Sequence, residues 1–171
     1  MKALLFLFPF LINFSLVDLE KRTLLDGKID MLVPTHFTEM PGDMLVKKYP
    51  GKSRPKFVLT DERGKTNLAF SILENPADST VIDQYLNAVV SSYKQNFPTA
   101  KWIGNGIMRI GNKKAGFLKL VTDGQDQKIF NFVFLTDLEG KLLVGTFNCV
   151  EKDMEEWRPI GEEMVGSIDF K

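Results

Sequence analysis

The stretch Lys128–Thr136, KIFNFVFLT, constrains this chain more than any other. Side chains alternate across a strand, so Phe130, Phe132 and Phe134 share one face while Ile129, Val133 and Leu135 take the other. A strand that is apolar on both faces needs cover on both, and it is expected to be central in its sheet. The neighbouring segments supply the rest of such a sheet. Period-two alternation predicts strands around Ile29 to Pro34, Lys56 to Thr60, Thr66 to Leu73, Trp102 to Ile110, Ala115 to Thr122 and Lys141 to Val150.

Helical signals are fewer. Ile82, Leu86, Val89, Tyr93 and Phe97 recur at helical spacing, Asp78 and Ser79 can accept from the first-turn amides, and Pro98 ends the run. A short helix is expected from Pro41 to Lys48, ahead of Pro50. A last helix carries Trp157, Ile160, Met164 and Ile168. Because Pro159 suits only a first turn, its regular part is expected to begin near Trp157.

At 171 residues and 44% hydrophobic, the chain is long enough for one well-buried core and short for two. One domain is expected. Lys and Arg number 22 against 22 Asp and Glu, so no global field gathers nucleic acid or holds the protein on an anionic membrane. The 14 Phe fall mostly inside alternating segments, where rings fill a core.

The opening MKALLFLFPFLINFS has one charge, Lys2, before a run that is apolar apart from Pro9, Asn13 and Ser15. Such a helix would span only about 22 Å, short of a hydrocarbon layer of roughly 30 Å. Residues 1–15 are therefore expected to be a signal peptide cut after Ser15, with 16–171 forming the single domain and no membrane span in the mature chain. That places the protein outside the cytoplasm, periplasmic or extracellular. Cys149 then has no intramolecular disulfide partner, and its apolar strand neighbours make it a buried, inert thiol.

Residues suited to chemistry are sparse. His36 is the only histidine and is expected to be a solvated loop residue. One Cys and one His exclude structural zinc on ligand count, no cofactor is indicated, and no catalytic residue is assigned. The acidic residues from Glu151 to Glu163 open a helix, where negative charge is favourable. Thr60-Asp61-Glu62-Arg63-Gly64-Lys65 and Thr136-Asp137-Leu138-Glu139-Gly140-Lys141 share a T-D-x-x-G-K frame, which tight turns explain without duplication or a phosphate loop. The best binding candidate is Tyr49-Pro50-Gly51-Lys52-Ser53-Arg54-Pro55. It is a stiff connector that offers Tyr49 and Arg54, residue types that anchor protein interfaces. Its alternative is a plain connector whose tyrosine ring covers the core edge.

The order of segments resembles the Mog1/PsbP-like group, and within it the DcrB-like branch of small exported bacterial proteins. The matching stretches are GKIDMLVP, PGDMLVKKYPGKSRP, NLAFSILENP, the long helix, GNGIMRIGNKKAGFLKL, two long strands and a final helix, from about Leu24 to Phe170. The resemblance implies an α+β fold, an antiparallel β-sheet flanked by helices in an α/β/α sandwich. It also implies a non-enzymatic role, since named relatives bind a nuclear GTPase, sit on photosystem II or act as secretion-effector chaperones. No functional residue carries over. The leading expectation is an exported binding or accessory protein of the bacterial envelope, whose partner is another protein and not nucleic acid. The alternatives are a cytoplasmic chaperone for secreted effector helices and a small hydrolytic or lipid-handling enzyme using His36 with a carboxylate.

Overall fold

A computed structural model describes residues 17–51 and 54–171. The expected signal peptide and the Lys52-Ser53 pair lie outside the described residues. The chain runs through β1 (Leu19–Leu24), β2 (Ile29–Pro34), β3 (Thr38–Glu39), α1 (Gly42–Lys48), β4 (Phe57–Thr60), β5 (Asn67–Pro76) and α2 (Ile82–Asn96). It continues through β6 (Lys101–Ile110), β7 (Lys113–Asp123), β8 (Lys128–Leu138), β9 (Lys141–Val150), a 3-10 turn at Glu151–Asp153, α3 (Met154–Gly166) and β10 (Asp169–Phe170).

Seven strands form one antiparallel sheet in the order β3-β4-β5-β9-β8-β7-β6, and β1-β2-β10 form a small antiparallel sheet. As the Phe-rich run requires, β8 is interior, between β7 and β9. Its two faces meet different layers. Phe130, Phe132 and Phe134 join Phe70, Phe147, Leu68 and Leu143 in the main core, which Ile29, Met31 and Val33 of β2 and Ile160, Met164 and Val165 of α3 cover. Val133 and Leu135 face α2, through Ile82, Val89 and Tyr93. The structure is thus an α+β single-layer sheet flanked on both sides, the architecture the resemblance implied.

Close packing of the main core depends on Gly145. It stands opposite Phe134 on one side and Phe70 on the other, and a Cβ there would run into the Phe134 ring. Missing that atom, the two rings meet edge to face at 6.0 Å.

Several boundaries differ from the sequence expectation for local reasons. The last helix begins at Met154, behind a 3-10 turn, so Pro159 is the sixth residue of α3 and not part of its first turn. Pro159 lies on the exposed side, where solvent can replace the backbone bond that its missing N–H would have made. Ile168 falls just after α3 but is buried, 1% exposed. The helix α2 starts at Ile82 because the Asp78 carboxylate instead accepts from the Thr80 N–H, at 2.7 Å, and from its hydroxyl. The two T-D-x-x-G-K frames close strand ends by different turns. Leu138 pairs with Lys141, and Glu139 (φ 51°) and Gly140 (φ 78°) make a two-residue primed turn. Thr60 pairs with Asn67, so the first frame makes a longer loop in which Asp61 Oδ1 accepts from the N–H groups of Lys65 and Thr66 at 2.7 and 3.2 Å.

Candidate functional site

Three segments distant in sequence meet at one rim of the sandwich: the turn after β2, the β4–β5 loop and the start of α3. They enclose a half-open cavity of about 520 Å³, lined by His36, the Asp61–Thr66 loop, Lys152, Asp153, Glu156 and Trp157. Each wall is fixed from behind. Arg22 of β1 donates from Nη1 to the Phe37 carbonyl at 2.6 Å and from Nη2 to that of Thr35 at 2.9 Å, while its Nε reaches Glu20. The His36 turn is therefore clamped by a guanidinium and is not a free loop. His36 is exposed, as expected, with its ring edge-on to Phe37 (5.2 Å) and Trp157 (6.2 Å). Trp157 continues the stack onto Phe37 and Phe147 at 5.6 and 6.4 Å, which anchors the cavity in the main core.

The charges around this cavity are of both signs. Arg63, Lys65 and Lys152 stand with Glu62, Asp153 and Glu156, and none of them is in an ion pair among the described residues. The one thiol is not available as a nucleophile. Cys149 is buried, and burial, with Asp153 adding to it, pushes its pKa up to about 12. Among the described residues no three His, Cys, Asp or Glu side chains converge to hold a metal ion.

Tyr49 and Arg54 lie behind this rim. The Tyr49 ring packs against Met40, Val58 and Ala69, beside Met44 and Leu45 of α1. Its hydroxyl is buried beside Asn148 without completing a hydrogen bond, and burial raises its pKa. Arg54 Nε donates to the Tyr49 carbonyl at 2.7 Å. A polar chain connects the two regions. Asn67 Nδ2 donates to Asn148 Oδ1 at 2.8 Å and to the Gly64 carbonyl at 3.3 Å, and the Thr60 hydroxyl donates to Asn67 Oδ1 at 2.8 Å. Lys48 Nζ, from the last turn of α1, also bonds the Gly64 carbonyl, and burial lowers its pKa. The cavity loop is held from the same side as the Tyr49 ring.

Sequence reasoning passed over most of these residues. Asp61 to Thr66 read as a turn, Lys152 to Glu156 as a helix start and Trp157 as a core residue. Each reading is locally correct, and only the pairing of distant strands brings them together.

No protein-family model and no curated protein matches the sequence. Solved structures do match in fold. The solution structure of cyanobacterial PsbP (CyanoP) from Synechocystis sp. PCC 6803 aligns with TM-score 0.65 and 14% identity, over 93% of this chain and 96% of that one. LpqN, involved in cell envelope biogenesis of Mycobacterium tuberculosis, aligns with TM-score 0.59 and 11% identity, over 91% and 92%. A Pseudomonas aeruginosa protein of unknown function, described as a putative regulator, aligns with TM-score 0.51 and 11% identity, over 86% and 94%. The chain has a Mog1/PsbP-like fold. Identities at this level speak for the fold alone.

Proposed function

We propose that this protein is an exported, non-catalytic accessory protein of the bacterial envelope, of the DcrB-like kind, which acts by binding another protein. The observation that carries the reading is the rim cavity. Small-molecule sites are concave, mostly apolar and enclosing. This one is half-open and walled by charges of both signs without ion pairs, a surface suited to a protein carrying complementary charges. The fold shared with LpqN supports an envelope setting. Among the described residues no helix is long and apolar enough to cross a membrane. Arg54, exposed behind the rim, extends the proposed contact surface, and Tyr49, whose carbonyl it bonds and whose ring packs on the core edge, fixes the connector that carries it.

The test is made in the native host with an untagged chain. Intact mass should show a protein beginning near Leu16, recovered outside the cytoplasm. A soluble cytoplasmic protein that retains Met1 to Ser15 would overturn export and favour the effector-chaperone reading. One observation favours a second reading, a small hydrolytic enzyme: His36 shares its cavity with Asp61, Asp153 and Glu156. An imidazole facing carboxylates is the minimal general-base pair.

A further inference from the structure

The two edges of the large sheet are unlike. At one end β3 is only two residues long. At the other, β6 runs for ten residues, Lys101–Ile110, with no proline. Soluble proteins blunt sheet edges by shortening, charging, bulging or covering them. On β6 a single irregularity at Ile103, between Trp102 and Gly104, is the one break in a regular register. Beyond it the strand offers seven consecutive paired residues, Gly104 to Ile110, whose outward N–H and C=O groups have no neighbouring strand among the described residues.

The side chains of this edge have a definite character. Ile103 and Ile107 are 39% and 44% exposed, an unusual state for large aliphatic groups in this protein. Gly104 leaves open space on the strand, with nothing within 4 Å of where a Cβ would stand. The only charged residues of β6 are Lys101 and Arg109, both exposed and basic. Neither is in an ion pair among the described residues, although Arg109 Nη2 donates to the Asn112 carbonyl at 2.8 Å. On the next strand, by contrast, Lys113, Lys114 and Lys119 are matched by Asp137, Asp83 and Glu162. Of these two strands, the one whose cations have no ion pair among the described residues is the edge strand.

We infer that β6 is a docking edge, which takes an extended segment of a partner protein as an eighth strand. The segment carries aliphatic side chains beside Ile103 and Ile107 and acidic residues facing Lys101 and Arg109. Main-chain hydrogen bonds hold such a strand, and alternate side chains select it. A second copy of β6 fits less well. The antiparallel register that sets Ile103 against Ile107 also sets Lys101 against Arg109, like charges at both ends. The inference rests on the protein-binding reading above but uses a surface separate from the rim cavity.

The test uses the purified protein and a fluorescent ten-residue peptide of alternating valine and threonine with a glutamate at each end. At low salt its anisotropy should rise on binding, and amide shifts should concentrate in residues 101–110. N-methylating alternate peptide amides should abolish binding. The double variant Lys101→Glu, Arg109→Glu should bind the peptide about tenfold more weakly and prefer a lysine-ended version. Both substituted side chains are exposed, so the melting temperature should not move, and Ile107→Lys gives a second variant expected to lose the peptide. No binding by the wild type, or binding indifferent to N-methylation and charge reversal, overturns the proposal. So does a dimer that forms without peptide and is lost in Ile107→Lys, since β6 would then serve a second copy. None of these results bears on export, which is read by mass and fractionation in the host.

Discussion

The two faces of the large sheet are built to different rules. The face toward β2 and α3 is a continuous aromatic and aliphatic layer in which Phe70, Phe130, Phe132, Phe134 and Phe147 are at most 1% exposed. The face toward α1 and α2 breaks into three smaller apolar clusters, and Asn67, Asn148 and Asn131 run as a row across β5, β9 and β8. Continuity of apolar burial marks the face that holds the fold together. Interrupted burial, with the buried Asn67 amide, leaves the other face room for small helices and for the Tyr49 ring.

Neighbouring residues of β8 give the largest test of that contrast. Phe132→Ala, on the continuous face, is expected to cost about 3–5 kcal/mol in chemical denaturation. Asn131→Ala, one residue away on the other face, loses only hydrogen bonds to Thr122 and the Ile129 carbonyl and is expected to cost about 1 kcal/mol. Equal losses would mean that the two faces contribute alike and would break the comparison.

Acid titration sharpens it from the covering layer. Asp30 of β2 is 6% exposed and bonded to Lys171 Nζ at 2.6 Å, the Thr23 hydroxyl at 2.7 Å and Lys21 Nζ at 3.0 Å. These partners, Lys171 foremost, hold its carboxyl well below the usual carboxylate range. A folded-state pKa below the unfolded value gives stability that is full above the unfolded pKa, about 4, and is lost as pH falls toward the folded one. The melting temperature should therefore drop below about pH 4, and Asp30→Asn should flatten that part of the profile. An unchanged slope in the variant would show that the small sheet is not held by this carboxylate.

On the interrupted face the effects should be smaller and should separate binding from folding. Changing Tyr49 and Arg54 together to Ala should weaken capture of the protein partner by roughly thirtyfold if they are interface anchors, an effect of about 2 kcal/mol. If they serve only as a connector, the melting temperature falls and captured partner declines merely in proportion to folded protein. Smallest of all, and on the β2 and α3 side, is His36→Ala, expected to leave stability unchanged and, as one of several side chains lining the rim cavity, to weaken partner capture by no more than about threefold. A large loss of a hydrolytic activity at constant melting temperature would reverse that expectation and establish the enzyme reading.

The continuous face was legible because its signal is local: alternate Phe residues in one strand announce a buried layer without reference to anything else. The helix over Ile82 to Asn96 was legible for the same reason, though its first turn was not, since Asp78 had a nearer hydroxyl to serve. The short strands β1, β3 and β10 went unseen because two to six residues gain strand character only from a neighbour. The start of α3 was displaced by trusting Pro159, a rule that fails where the proline faces solvent. The rim cavity was illegible in principle from local pattern, since its charges each have an adequate local explanation. Arg22, which positions the His36 turn from β1, carries no motif at all.

The strand β10 lies against Ile29 and Asp30 of β2, and the Lys171 N–H donates to the Lys28 carbonyl at 3.0 Å, so the covering sheet joins the beginning of the described chain to its far end. Synthesis is directional, and a chain emerging from the ribosome makes β1 and β2 long before Asp169 and Phe170 exist. During that interval the hairpin has neither its third strand nor α3 to cover, and its apolar side, Ile29, Met31 and Val33, stays without the layer it was shaped for. The Asp169–Phe170 strand thus acts as a latch on β2. Contacts of such long sequence separation are slow to form, so the covering sheet is expected to close late in folding.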